Sequence, residues 1–261
     1  MLPTLTVAIA TAAKRAGTIE LPAPRDGVRY YIGVQLLGEV PEEIAARADV
    51  EVEHLCTTGL SRNRNAALAA CKTELLLLAD DDLSWRQEGI DALRAALAAD
   101  PRLDIAAGRL EDTTGEPLKK YPTAAGDLRL LNCGHVGSPE IMLRMAFVRA
   151  HELLFDERFG AGCRYPSGEE YIFITDAIKQ GARVRYIPHV VAIHPPMSTG
   201  ENWSDLRLID ARSRVLGRVW GRAAPLVRIA YAIKKYRRLG LKRALRFALT
   251  APITQRRKQQ H

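Results

Sequence analysis

Through its first 190 residues the chain alternates short β-type apolar runs with helical patterns of apolar and polar positions. Five runs predict strands: "LTVAIAT" from Leu5, "VRYYIGVQ" from Val28, "VEVEHL" from Val50, "ELLLLA" from Glu74 and "LDIAAGRL" from Leu103. Between the third and fourth lies "SRNRNAALAAC", which opens on Ser61, a residue type suited to an N-cap; "RQEGIDALRAALAAD" links the fourth to the fifth. That β-α-β order predicts a largely parallel sheet. The fourth run is apolar throughout, without alternation, as a central strand covered on both faces requires. Residues Glu111 to Ser138 are rich in Gly, Pro and Thr and are expected to form long connections over the carboxyl edge of the sheet, where open α/β sheets bind ligands. A helix from about Glu169 to Gln180, a turn at Gly181 and a further strand follow, and no internal repeat or low-complexity tract is present. The pattern specifies a Rossmann-like α/β domain over residues 1–200 with a central, mostly parallel sheet, and a basic helical C-terminal region over 201–261.

The fourth strand also raises the chemical question. In "ELLLLADDDLSW" the apolar run meets three consecutive carboxylates, an arrangement that costs stability unless a cation or a reaction compensates it. If the chain stays extended past Ala79, Asp80 and Asp82 converge on one ligand while Asp81 faces elsewhere. A D-x-D at a strand end is a standard way to hold a hard divalent cation, Mg²⁺ or Mn²⁺, against nucleotide phosphates. An isolated D-x-D is more often a solvated acidic turn, but four preceding leucines fix the position of this one. Glu169 and Glu170 open an amphipathic helix whose buried stripe includes Phe173, Ile174, Ala177 and Ile178. There the acids either complement the helix dipole or supply a general base whose pKa neighbouring carboxylates raise. His189 and His194 flank a short apolar strand; such a residue commonly serves as a satisfied hydrogen-bonding group, and a third metal ligand is the alternative. Arg64 and Asn65, near the start of their helix, are placed either to meet a diphosphate or base or simply to face solvent.

Composition sharpens the class. With 261 residues and 47% apolar content the chain can bury a full core. The N-terminus lacks a basic region ahead of its apolar stretch, so it reads as a first strand and not a signal peptide, and no segment reaches the roughly 18 apolar residues of a membrane span. Cys56, Cys71, Cys133 and Cys163 form no C-x-x-C pair, which suits a reducing cytoplasm. The net charge of +8 is split unevenly: residues 206 to 261 hold 16 Lys or Arg and only Asp210, leaving 22 basic against 29 acidic residues upstream. A basic tail on an acidic body points to a polyanionic partner for the tail.

"GLSRNRNAALAACKTELLLLADDD" and "FDERFGAGCRYPSGEEYIFITDAIKQGARVRYIP", in that order and followed by a His after the next strand, resemble the conserved segments of family 2-like, GT-A fold glycosyltransferases, particularly bacterial enzymes of polysaccharide assembly. The likeness covers roughly residues 4 to 200. It implies a GT-A fold, a nucleotide-diphosphate-sugar donor, and Mn²⁺ or Mg²⁺ as cofactor. Residue by residue, it makes Asp80 and Asp82 the D-x-D, with Asp82 the direct metal ligand, Asp80 nearer the ribose or a metal-bound water, and Asp81 beside them on the nucleotide. Arg64 takes the place of an Arg beside the nucleotide, Thr11 ends the first strand against the base, and His194 helps hold the metal or diphosphate. Glu170 matches the base of inverting members, with Glu169 as substitute. Gln35 stands where many members carry an Asp that reads uracil, so the base preference is open.

Other classes fit less well. "DDDLS" also resembles the nucleophile loop of haloacid dehalogenase-type phosphatases, but here it comes after three strands, and "GEE" opens a helix. Nucleotidyl transfer lacks a Gly-rich phosphate loop after the first strand. Nucleic acid is an unfavourable partner, since aromatic residues are few and the acidic body repels a polyanion. Within the tail, a helix from about Trp203 to Gly221 is expected to dock on the domain, while "APLVRIAYAIKK" sets Leu226, Ile229, Ala230 and Ile233 at helical spacing. Ten Lys or Arg without one acid from Lys234 to Lys258 suit an anionic membrane surface. The expectation is therefore a cytoplasmic protein, peripheral at the inner face of the membrane, acting on a glycan or lipid-linked acceptor.

Overall fold

The computed structural model describes residues 1–195 and 204–250. In chain order the strands and α-helices are β1 (Leu5–Ala12), β2 (Val28–Gln35), α1 (Glu42–Ala45), β3 (Val50–His54), α2 (Leu60–Ala70), β4 (Leu75–Asp80), β5 (Ser84–Trp85) and α3 (Gln87–Ala99). There follow β6 (Ile105–Glu111), β7 (Gly126–Leu128), β8 (Ile141–Arg144), α4 (Met145–Ala150), α5 (Glu169–Lys179), β9 (Val184–Ile193), α6 (Leu206–Trp220), α7 (Ala224–Lys234) and α8 (Tyr236–Ala248). All strands join one nine-stranded sheet in the order β3-β2-β1-β4-β8-β6-β9-β5, with β7 pairing β9 off that path. The pairings β1·β2, β1·β4, β2·β3 and β6·β9 are parallel; β8 runs against both β4 and β6, and β5 and β7 run against β9. The expected α/β class and mostly parallel central sheet are thus what the chain forms.

β4 shows why its sequence is apolar throughout. Leu75 and Leu77 enter one core beneath α3, with Ile90, Leu93 and Leu97, while Leu76 and Leu78 enter the other with Ala67 and Leu68 of α2 and Phe173 and Ile174 of α5. Each leucine is essentially fully buried, and each contributes roughly 1.5–3 kcal/mol of hydrophobic stabilisation. The strand is held rigidly up to the residue where its carboxylates begin.

Several boundaries differ from those the sequence predicts. Ser61 is not the N-cap of α2: the helix starts at Leu60 behind Gly59, whose φ of 102° is open to glycine and strained for any other residue. Ser61 lies inside the first turn and donates its hydroxyl to the Phe159 carbonyl, 2.5 Å away. The Glu111–Ser138 connection is not wholly irregular, because β7 pairs with β9 and Pro117 bridges back to Glu111. β8 has no counterpart among the predicted strands; four residues running straight into α4 give periodicity too little length to register.

The C-terminal helices dock as the sequence suggests for the first of them, although Trp203 and the 200/201 boundary lie outside the described residues. α6 begins at Leu206, with Asp205 as N-cap accepting from the Arg207 amide at 2.8 Å. It sends Val215 and Val219 into a core with Phe159 and Ile172, and its Arg218 pairs with Asp176 at 2.6 Å and Asp156 at 3.0 Å. Gly168, immediately before α5, has φ 87°, and a Cβ there would lie 2.5 Å from Val215. α7 and α8 pack through Ala232, Leu239, Ala244 and Phe247 onto Ile209 and Leu216 of α6. Residues 251–261, with the last three cations of the predicted Lys234–Lys258 run, lie outside the described residues.

Candidate active site

Parallel strands deliver Thr11, Gln35 and Asp80 to one edge of the sheet, in register: Ala12 lies opposite Gln35 and Ala10 opposite Asp80. Because the chain passes from β1 to β2 and β3 on one side and returns to β4 on the other, the β1/β4 edge is a topological switch point, where such sheets leave a crevice. The three aspartates gather there, but not by the geometry expected. β4 ends at Asp80 and the chain turns through Asp81 and Asp82, so side-chain alternation stops and Asp81 does not face away. Its carboxylate accepts the Thr11 hydroxyl at 2.6 Å and pairs with Arg15, which also reaches Asp82 at 2.8 Å. Asp82 in turn lies 3.5 Å from Nε2 of His194.

Across the crevice the buried Arg64 organises a second cluster. Its guanidinium pairs with Glu169 at 2.9 Å and Asp80 at 3.2 Å and sits over the Phe155 ring. Burial pushes the Asp80 carboxyl up, with Asp82 and Glu169 adding to it and Arg64 opposing it. Glu170, next to Glu169 in the first turn of α5, is pushed from an ordinary 4.5 to about 8, chiefly by burial and then by the Glu169 charge. The two acids of "GEE" therefore differ in kind: Glu169 is tied to a buried arginine, while Glu170 lies close to neutral pH, where a proton can move on or off.

The other candidates fall as follows. Thr11 is buried and spends its hydroxyl on Asp81. Gln35 is buried and donates to Thr57 Oγ1 and the Gly59 carbonyl, both at 3.3 Å, so its amide is anchored to the loop ahead of α2. Asn65 faces neither ligand nor solvent alone; its amide brackets the Phe155 backbone, donating at 3.1 Å and accepting at 2.8 Å. His189 is exposed on β9, apart from the aspartates. Arg15 escaped the sequence reading, although a Lys-Arg pair directly after a strand aimed at three carboxylates was a legible signal. Beyond His194, whose amide donates to the Glu111 carbonyl at 2.9 Å, a cavity of about 580 Å³ opens among Trp85, Arg109, Glu111 and His189.

Among the described residues no three His, Cys, Asp or Glu side chains are grouped to hold a metal ion by themselves. Asp80, one expected ligand, is engaged by Arg64. Asp82 and His194 still offer an oxygen and a nitrogen side by side, and Arg15 already sets positive charge on Asp81 and Asp82. Divalent Mg²⁺ is commonly held by one or two carboxylates plus substrate phosphates, so this donor set fits such an ion together with a diphosphate.

Residues 39–171, just over half of the chain and containing Arg64, all three aspartates and both glutamates, match the sequence model of "Glycosyl transferase family 2". The chain belongs to that family. The pre-mycofactocin glycosyltransferase of Mycobacterium tuberculosis, in strains CDC 1551 and H37Rv, is 27% identical over 238 residues, covering 85% of this chain and 47% of the relative. The chain thus spans about half the length of these curated relatives. Among solved structures, S. aureus TarS 1-349 superposes with a TM-score of 0.64 at 15% identity, over 95% of this chain and 75% of that one. The mannosyltransferase PcManGT from Pyrobaculum calidifontis, in complex with GDP-Man and Mn²⁺, gives 0.60 at 15% identity, over 95% and 73%. These likenesses establish the GT-A architecture of the family 2 chain, and the phosphatase and nucleic-acid readings lose their support.

Proposed function

We propose that this family 2 chain transfers a sugar from a nucleoside-diphosphate donor to an acceptor hydroxyl by a single, inverting displacement with Glu170 as general base. The observation that carries the reading is the pairing of unlike acids across one crevice: three aspartates at the end of β4 engaged by cations, and Glu170 raised to about 8. Glu170 takes the proton of the acceptor hydroxyl as that oxygen attacks the anomeric carbon, and the nucleoside diphosphate leaves. Glu169 and Arg64 hold the first turn of α5 in place, and Glu169 raises the basicity of its neighbour. Asp82 and His194 are the residues that would hold Mn²⁺ or Mg²⁺, which when bound supplies positive charge against the departing diphosphate. Arg15, more than half exposed and paired with Asp81 and Asp82, adds its charge on the same side of the crevice. Thr11, Gln35 and Asp81 line the nucleoside side of the crevice. The TarS and PcManGT structures carry UDP-GlcNAc and GDP-Man with Mn²⁺ respectively, which supports the donor class. A glycan or lipid-linked hydroxyl suits a domain whose last helices are both apolar and basic.

The test is a thermal-shift screen of UDP and GDP with and without Mn²⁺, since a ligand that binds only the folded state raises the melting temperature. One nucleoside diphosphate should raise it, and more so with the metal. No shift with any nucleoside diphosphate at millimolar concentration would refute the donor assignment.

A further inference from the structure

α7 and α8 bury one side each in the packing against α6, and what they leave outside is unusual. On α7, Leu226, Ile229 and Ile233 stand out at helical spacing with exposures of 74%, 49% and 71%, joined by the exposed Ala230. Leu241 and Leu245 of α8 and Leu249 at its C-terminal end repeat every fourth residue, again more than half exposed. Isolated exposed leucines are ordinary, whereas two such rows on neighbouring helices mark a contact surface. The cations Lys234, Arg237 and Lys242 are exposed on the same helices, with Arg222 exposed in the turn just before α7, and no Asp or Glu occurs after Asp210.

We propose that the exposed apolar rows of α7 and α8 seat in the headgroup region of an anionic lipid bilayer, with the flanking cations against the lipid phosphates. Both properties are needed to choose this occupant. A second copy of the chain meeting the same face two-fold would bring cation against cation with no acid to relieve them. A nucleic acid would satisfy the cations and leave the leucines in water, with Tyr236 the one large aromatic exposed on these helices for base stacking. A bilayer supplies apolar depth under an anionic surface, and amphipathic helices that lie in the interface have this composition. Among the described residues no helix is long or apolar enough to span, so attachment would be in the plane of the surface. The inference stands apart from the donor chemistry, because binding is read without turnover.

The experiment is co-sedimentation of the full chain with phosphatidylcholine vesicles with and without phosphatidylglycerol. Protein should pellet with the anionic vesicles, stay in solution with the neutral ones and be released by high salt, where the Debye length collapses. Replacing Lys234, Arg237 and Lys242 by Gln should weaken partitioning about a hundredfold, from about fivefold per charge. The double variant Ile229→Ser, Ile233→Ser should weaken it at least about tenfold, while circular dichroism and nucleoside diphosphate binding remain as in the parent. Failure to pellet with anionic vesicles would overturn the proposal. So would equal pelleting with both vesicle types, unaltered partitioning of the isoleucine variant, or a sedimentation-velocity dimer that the isoleucine substitutions dissociate.

Discussion

Among the described residues Arg64 is the one cation paired with both Asp80 and Glu169, and the cost of replacing it by Ala follows from the geometry. At an effective dielectric of about 20, unit charges at the observed 2.9 and 3.2 Å attract by about 5–6 kcal/mol each before desolvation is counted. Most of that offsets the cost of burying the charges, so the measurable quantity is the penalty for stranding them. For a buried pair that loses one partner the penalty is about 3–5 kcal/mol. In a chain of this size it corresponds to a fall in melting temperature of roughly 6–20 °C. The deficit should also depend on pH with a definite sign. Burial already raises the Asp80 carboxyl and Arg64 opposes the rise, so the variant's Asp80 must climb further above its unfolded value. A carboxyl raised in the folded state leaves stability intact below the unfolded pKa and loses it as pH rises through the folded one. The Arg64→Ala deficit should therefore be largest above neutrality and shrink toward pH 4. Urea unfolding followed by the fluorescence of the three tryptophans at several pH values measures it. Adding Glu169→Gln should recover part of the loss, because a neutral amide needs no counter-charge. A deficit under about 1 kcal/mol, or one independent of pH, would refute the view that Arg64 compensates buried carboxylates.

Three further outcomes follow from the same crevice. Glu170→Gln should retain nucleoside-diphosphate binding while transfer falls by ~10² to 10⁴-fold, and the parent's transfer rate should rise with pH toward about 8; an active Gln variant would remove Glu170 from the base role. The same raised carboxyl makes the ligand-free parent lose stability between its ordinary 4.5 and about 8, a slope that Glu170→Gln should flatten in pH-dependent unfolding. Asp82→Asn should abolish Mn²⁺-dependent nucleotide binding in calorimetry without unfolding the chain, since Asp82 is 35% exposed and, among the described residues, pairs with Arg15 and His194 alone.

The order of elements was legible because it is carried by long, strongly patterned segments. The five predicted strands coincide with β1, β2, β3, β4 and β6 to within two residues at either end. β4 was the clearest: burial on both faces demands leucine at both parities, and both parities are leucine. The carboxylates were legible as a cluster for the same reason, being fixed to that strand. Their individual directions were not, because the alternation rule holds only while the chain stays extended and β4 ends at Asp80. Ser61 misled because capping propensity is a local preference, whereas Gly59 is set by a positive φ and by the close approach of Gly162 and Cys163. Arg64 to Glu169 spans 105 positions and Arg15 to Asp81 spans 66, and no pattern within one element reports such pairings.

The distribution of cations gives the site a buried half and a more exposed half. Arg64 is 3% exposed and clamped between Glu169 and Asp80, so its charge is committed to the fold. Arg15 is 60% exposed and projects from the short 3-10 segment after β1; its pair with the 35%-exposed Asp82 is worth about 0–1 kcal/mol, whereas Asp81 is only 5% exposed and leaving it would strand a buried carboxylate. The aspartate side therefore carries one mostly exposed arginine, held by Asp81 and Asp82, and one buried arginine that stays with the fold. Glu170 forms no ion pair with either, and burial and the Glu169 charge favour its protonated form. Any added positive charge on the aspartate side must then pull its pKa down from about 8 toward neutrality, through the same electrostatics by which Glu169 pushes it up. For the base role proposed above, this means that a divalent cation alone lowers the pH at which Glu170 gives up its proton, whereas the negative diphosphate of a donor works against that fall.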